Sequence, residues 1–281
     1  MEAAITPLDP REAQARVDAH PFWYHTIDVA PGVTTPGWFD LRHALDTIPF
    51  PDVRGKRCLD IGTFDGFFAF EMERRGAAEV VATDIEDHAL WDWPPDARPG
   101  TGADDDRHVA MEGPPKGAGF RLVADLIDSK VDWRVCNIYD LSPEVLGTFD
   151  VVVCGTLLLH LRDPIRALEA VRSVTDGVFI SSEQLETWTT LVGRGKPLFK
   201  LDGSGQFCQW WLANAAGHRR MLFSAGFHVE EASKAFINRF NVHPKPGRDP
   251  KAVARHAAEW AMTGDRNRGI LHRALLARPR L

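Results

Sequence analysis

Arg57-Cys58-Leu59-Asp60-Ile61-Gly62-Thr63-Phe64-Asp65-Gly66-Phe67, followed by Val80-Val81-Ala82-Thr83-Asp84, decides the fold of this 281-residue chain. A short apolar run that ends in a glycine turn and opens a helix begins a βαβ unit, and an acid about twenty residues on is placed to hold a ribose. Asp84 is that acid. In a dinucleotide site the second and third glycines of G-x-G-x-x-G admit a pyrophosphate and a close helix. Phe64 and Phe67 stand at those positions, so the turn suits a ligand with a ribose but no pyrophosphate.

Outward from this turn the βα rhythm continues. A helix is expected over Gly66 to Arg75, a strand over Glu79 to Asp84, a helix over Phe120 to Ser129 and a strand over Asp132 to Asn137. Phe149 to Cys154 and Gly177 to Ser182 read as further strands, with a helix from Asp163 to Arg172 between them. Asp163 caps that helix and Pro164 fits its first turn. Strands alternating with helices imply a parallel sheet. After a helix from Asn214 to Ala225, Phe227 to Ala232 and Ala235 to Phe240 read as a final strand pair.

Three regions follow. Residues 1–50 form an N-terminal helical and aromatic lead-in, with a helix at Asp9 to Ala19. Residues 51–245 form the ligand-binding domain, and 246–281 read as a C-terminal helical extension. Two insertions interrupt the domain. Residues 91–119, rich in Pro, Gly and Asp, read as a long surface loop. Residues 184–212, with Trp188, Trp210 and Trp211, are expected to shape a substrate pocket.

Composition narrows the partners. A net charge of −6 and a pI near 6.0 give no basic footprint, which disfavours nucleic acid. No apolar stretch approaches the roughly 18 residues of a membrane span, and the N-terminus lacks a signal-peptide core. A cytoplasmic protein is expected, with homodimerisation left open. Cys58, Cys136, Cys154 and Cys208 lack metal or redox spacing, so metal independence is expected.

S-adenosylmethionine (SAM) has a ribose and no pyrophosphate. On Asp60 through Gly66, Asp84, and Phe149-Asp150-Val151-Val152-Val153-Cys154-Gly155, the chain resembles the class I SAM-dependent methyltransferases. The resemblance implies a Rossmann-like α/β fold: a seven-stranded, mostly parallel sheet with helices on both faces and the last strand antiparallel. It also implies that Asp60 orients the methionine amino group, that Gly62, Thr63, Phe64, Asp65 and Gly66 contact the methionyl part, and that Asp84 with Ile85 holds the ribose. Asn137 and Ile138 would contact adenine, and Gly155 would border the cofactor. Gly55 through Gly62, Gly155-Thr156-Leu157-Leu158-Leu159-His160-Leu161-Arg162-Asp163-Pro164, and Trp211 through Ala225-Gly226-Phe227 are similar to the subfamily containing the tRNA wobble-uridine 5-carboxymethyltransferases.

His160, just beyond a strand end, is a candidate general base, because a neutral imidazole takes protons near neutral pH. Glu183 is a second catalytic candidate, able to stabilise a sulfonium. Arg42 is a candidate for a cofactor carboxylate. Trp23, Tyr24, Trp188, Trp210, Trp211, His218 and Asn241 are candidates for binding the acceptor, with Asn238, Arg239 and His243 nearby. The leading expectation is methyl transfer from SAM to an oxygen or nitrogen of a small aromatic or sugar-like molecule. A tRNA-modifying enzyme and a non-catalytic SAM-binding partner protein are the alternatives.

Overall fold

A computed structural model describes residues 9–95, 115–193, 195–201, 208–242 and 249–280. Much of the 91–119 insertion, including Asp104-Asp105-Asp106, lies outside the described residues, as does His243.

The strands, in chain order, are β1 (Asp28–Ala30), β2 (Val33–Thr34), β3 (Phe39–Asp40), β4 (Arg57–Ile61), β5 (Glu79–Asp84), β6 (Asp132–Val135) and β7 (Phe149–Gly155). They continue with β8 (Thr175–Gln184), β9 (Phe199–Leu201), β10 (Trp211–Ala213), β11 (Phe227–Ala232), β12 (Phe236–Phe240) and β13 (Gly269–Pro279). One sheet runs β3-β12-β13-β8-β7-β4-β5-β6, with β11 also on β13. From β6 to β8 every pairing is parallel, and β13 joins β8 antiparallel. The Rossmann-like expectation holds, as does the antiparallel last strand.

The sheet has nine strands rather than seven. The lead-in adds β3 to one edge. β11 and β12 do not pair with each other as expected; they share one edge of β13, β12 along Gly269 to His272 and β11 along Leu275 to Pro279. The C-terminal extension is also not wholly helical. Its first part is a helix, Pro250–Thr263, and its second is β13, in the middle of the sheet. The 184–212 insertion holds a short helix, Thr187–Val192, and β9, which pairs antiparallel with β10 outside the main sheet.

Why the central strands form is visible in where their side chains go. Alternation sends Cys58, Val151, Val153, Val178 and Ile180 into one core and Leu59, Ile61, Val152, Cys154 and Phe179 into another. Burial on both faces explains the nearly unbroken apolar runs. Helices Pro10–Ala19, Phe67–Arg74 and Ala118–Leu126 cover the first core through Ala13, Val17, Phe70, Phe120 and Val123. Helices Pro164–Ser173 and Ala215–Ser224 cover the second through Leu168, Val171, Met221 and Leu222. The Asp163 carboxylate accepts from Arg166 N at 3.1 Å, as the cap predicts. Parallel strands between two helical layers leave their carboxyl ends as the open edge, where ligands bind in such sheets.

Candidate functional site

At that edge lies a cleft of about 1050 Å³. Asp60, Gly62, Thr63, Phe64, Asp84, Ile85, Asn137, Ile138, Gly155 and His160 line it, so ten residues expected to serve the cofactor or the chemistry share one space. Tyr24, expected to meet the acceptor, also lines it, beside Trp38, Phe39 and Phe240.

The glycine turn is built for close approach. Gly62 has φ 69, and a Cβ there would come 2.8 Å from Leu157 Cδ2. Phe64, at φ 50, is a non-glycine residue in the left-handed region, held there by its N–H, which donates to Asp84 Oδ2 at 3.0 Å. Gly66, at φ 95, opens the helix, where a Cβ would lie 2.3 Å from the Phe70 ring. Phe67 turns into the core against His25 and Phe68.

The two acids differ in setting. Asp60 is buried, and burial pushes its carboxyl up to about 7. Thr63 Oγ1 and Ala69 N both donate to its Oδ2, at 2.7 and 3.1 Å, which leaves Oδ1 able to accept from an ammonium. Asp84 Oδ1 accepts from Ile85 N at 2.8 Å, and Oδ2 takes both Phe64 N and the ammonium of Lys116, the latter at 3.2 Å. Oδ1 therefore keeps accepting capacity for a ribose hydroxyl. Both ends of the cleft fit the ligand expected from the sequence. At the adenine end, Asn137 Oδ1 accepts from Tyr139 N at 3.1 Å, so the oxygen expected to meet adenine also caps a turn.

His160 Nδ1 lies 3.0 Å from the Cys208 carbonyl. A carbonyl only accepts, so Nδ1 carries a proton.

Several candidates lie elsewhere. Glu183 is buried and is not among the residues lining the cleft; it accepts from Leu157 N and Leu158 N at 3.2 and 3.3 Å, bracing the turn that carries His160. Asp65 Oδ2 accepts from Tyr24 N and His25 N at 2.6 and 2.9 Å, a clamp between the glycine turn and the lead-in. Arg42 pairs with Asp40 and Asp28 at 2.7 and 2.6 Å, away from the cleft. Trp23 is core, its Nε1 donating to Val17 O.

Trp188 is 43% exposed on the surface of the insertion. Trp210 and Trp211 donate to backbone carbonyls of Asp92 and Arg162 and fasten the insertion to its neighbours. His218 is buried against Ser181 Oγ at 2.8 Å, and burial lowers its pKa to about 3. Asn241 donates to Thr26 Oγ1 at 3.1 Å. The aromatic lining thus comes from the lead-in, Phe64, Phe68, Trp91, Tyr139 and Phe240 rather than from the tryptophans of the 184–212 insertion.

Sequence reasoning missed Lys116, Thr156, Arg255 and Glu259, all of which line the cleft. Lys116 follows a stretch of sequence rich in Pro, Gly and Asp that offers no periodic signal. Arg255 and Glu259 belong to the helix at Pro250–Thr263, whose (i, i+4) spacing puts both on one face. Among the described residues there is no cluster of three or more metal-ligating side chains and no helix long and apolar enough to cross a membrane.

Known proteins resemble this chain in part. A ubiquinone biosynthesis O-methyltransferase from Neisseria meningitidis is 31% identical over 134 residues, covering 47% of this chain and 45% of that protein. A tRNA U34 carboxymethyltransferase from Campylobacter hominis is 26% identical over 125 residues, covering 44% and 34%. The matches thus span less than half the length of these relatives. The crystal structure of the N-terminal domain of EvdMO1, determined in the presence of SAH and D-fucose, superposes with a TM-score of 0.53 at 14% identity, covering 99% of this chain and all of that domain. A family profile described as a methyltransferase domain matches residues 38–231. On that match across most of its length, the chain belongs to the methyltransferase-domain family.

Proposed function

We propose that this protein transfers a methyl group from SAM to an oxygen or nitrogen of a small, ring-shaped molecule. The observation that carries the reading is that Asp60, Asp84 and an aromatic wall of Tyr24, Phe39 and Phe240 line one continuous cleft. SAM, when bound, supplies an electrophilic methyl on a sulfonium. Asp60 would hold the amino-acid end and Asp84 the ribose, which would orient the donor along the cleft. The aromatic wall excludes water and orients the acceptor, and orientation can supply much of the rate of such a transfer. His160, which lines the same cleft, would take the acceptor's proton.

The test is incubation with methyl-labelled SAM and a panel of hydroxylated and aminated ring compounds. Label should enter at least one compound and be lost with Asp84→Ala. Tight SAM binding without transfer to any member of the panel, or to any cell-extract fraction, would favour a non-catalytic binding protein.

The Campylobacter relative supports a second reading, in which tRNA is the substrate. The acidic net charge weighs against it. A salt-sensitive gel shift with bulk tRNA would favour it, and no shift at low salt would exclude it.

A further inference from the structure

β8, β13 and β12 bring polar side chains together at one corner of the cleft. Gln184 stands opposite His272, which stands opposite Phe236, and Asn238 stands opposite Ile270. Residues directly opposite in antiparallel pairs, and residues two apart along a strand, share a face. Gln184, His272 and Asn238 therefore share one face of the sheet. Gln184, Asn238 and Ile270 line the cleft, with Leu185 and Leu271 from the other face, so the cleft lies across the ends of these strands. Thr156, immediately after β7, lines it too, and its Oγ1 lies 3.0 Å from His272 Nε2.

The hydrogen-bond directions at this corner are determined. His272 Nδ1 lies 2.9 Å from the Ile270 carbonyl, which only accepts, so Nδ1 carries a proton. His272 is 1% exposed, and burial keeps the ring neutral, so Nε2 is an acceptor. Thr156 must then donate its hydroxyl proton to Nε2. What Thr156 Oγ1 retains for the cleft is lone pairs. Asn238 is also 1% exposed, and among the described residues its Oδ1 has no hydrogen-bond partner. Both oxygens can only accept. Thr156 sits at φ 55, a conformation that costs a β-branched side chain and that occurs where geometry serves a site.

We propose that this corner is a diol subsite, which takes adjacent hydroxyl groups of a ring through Thr156 Oγ1 and Asn238 Oδ1; the inference rests on the methyl-transfer reading above. A hydroxyl brings the hydrogen that both oxygens need. A carboxylate or phosphate brings lone pairs against lone pairs, and a fully alkylated ether brings no donor. A protonated amine would bring donors, but none of Thr156, Asn238, Gln184 and His272 carries the negative charge that a desolvated ammonium requires. Tyr24, Phe39 and Phe240, with ring centroids 5.1 and 5.6 Å apart in succession, line the same cleft and supply aromatic surface for the ring that bears the hydroxyls. His272 is a positioning residue here, since it acts through Thr156.

The experiment is a ligand-observed NMR titration of the full chain, with and without S-adenosylhomocysteine (SAH). The probes are catechol, methyl β-D-fucopyranoside, the fully O-methylated form of each, and benzoate. At least one diol should bind about tenfold or more tightly than its ether and than benzoate, and which diol binds separates a phenolic from a sugar acceptor. Thr156→Val and Asn238→Leu should each erase that preference. Ethers or benzoate binding as tightly as the diols, neither diol binding at millimolar concentration, or an unchanged preference in both variants would overturn the proposal. The comparison of diol and ether on the unaltered chain needs no variant to fold. SAH calorimetry on the same samples separates the two claims: loss of SAH binding defeats the donor reading, while SAH binding without diol preference defeats the subsite alone.

Discussion

Lys116 and Asp84 form a buried ion pair inside the cleft, with Nζ 3.2 Å from Oδ2 and both side chains less than a tenth exposed. The ammonium also lies 4.2 Å from the centroid of the Phe64 ring. Asp84 is thus paired with a residue from the far end of the long insertion, and the glycine turn packs on the same cation. Removing one partner of a buried pair strands the other, at a cost of about 3 kcal/mol or more. Lys116→Met should lose about that much in urea denaturation, and the Lys116→Met/Asp84→Asn double variant should lose less than the two single variants combined. Strict additivity would show that the pair is not coupled.

Asp65 is placed to act on stability more than on ligand contact. Its Oδ2 satisfies the backbone N–H groups of Tyr24 and His25. Asp65→Ala leaves two buried donors unpaired and should cost about 2–4 kcal/mol, whereas Asp65→Asn keeps an acceptor and should cost far less. Equal losses in the two variants would argue against the clamp.

Glu183 sets a pH dependence. Burial pushes its carboxyl up to about 8, while an unfolded glutamate ionises near about 4.3. Between those values the folded chain holds a proton that the unfolded chain has released, so stability falls as pH rises through this window. Asp60 and Asp65, each pushed up to about 7, act in the same direction. Glu183→Gln keeps an acceptor for the turn and removes one titration. Its melting temperature should therefore drop less than that of the unaltered chain between about pH 5 and about pH 8. Identical slopes would contradict this assignment.

The parallel half of the fold was legible because β4, β5, β7 and β8 are buried on both faces and bounded by glycines and caps, so their apolar runs stand out. β13 was not. Ile270-Leu271-His272-Arg273-Ala274-Leu275-Leu276-Ala277-Arg278 is rich in helix formers and, buried on both sides, shows no alternation. Its strand state is imposed by β8 and β12 on either side, a tertiary effect that local propensity does not carry. That error hid His272, while Asn238 beside it was already among the candidates.

Around the glycine turn, Asp84 was legible from its spacing and Asp60 and Gly62 from the family resemblance, and all three line the cleft. The acceptor candidates were less so. Trp188, Trp210 and Trp211 were chosen for their ring chemistry, but indole N–H groups also secure loops to backbone carbonyls, which is what Trp210 and Trp211 do.

Calorimetric titration of SAH and of NAD into the unaltered chain and into Asp84→Ala tests the donor assignment most directly. The account predicts that SAH binds the unaltered chain, that NAD does not, and that Asp84→Ala weakens SAH about tenfold or more. SAH affinity unchanged by Asp84→Ala, or NAD bound as tightly as SAH, would contradict it.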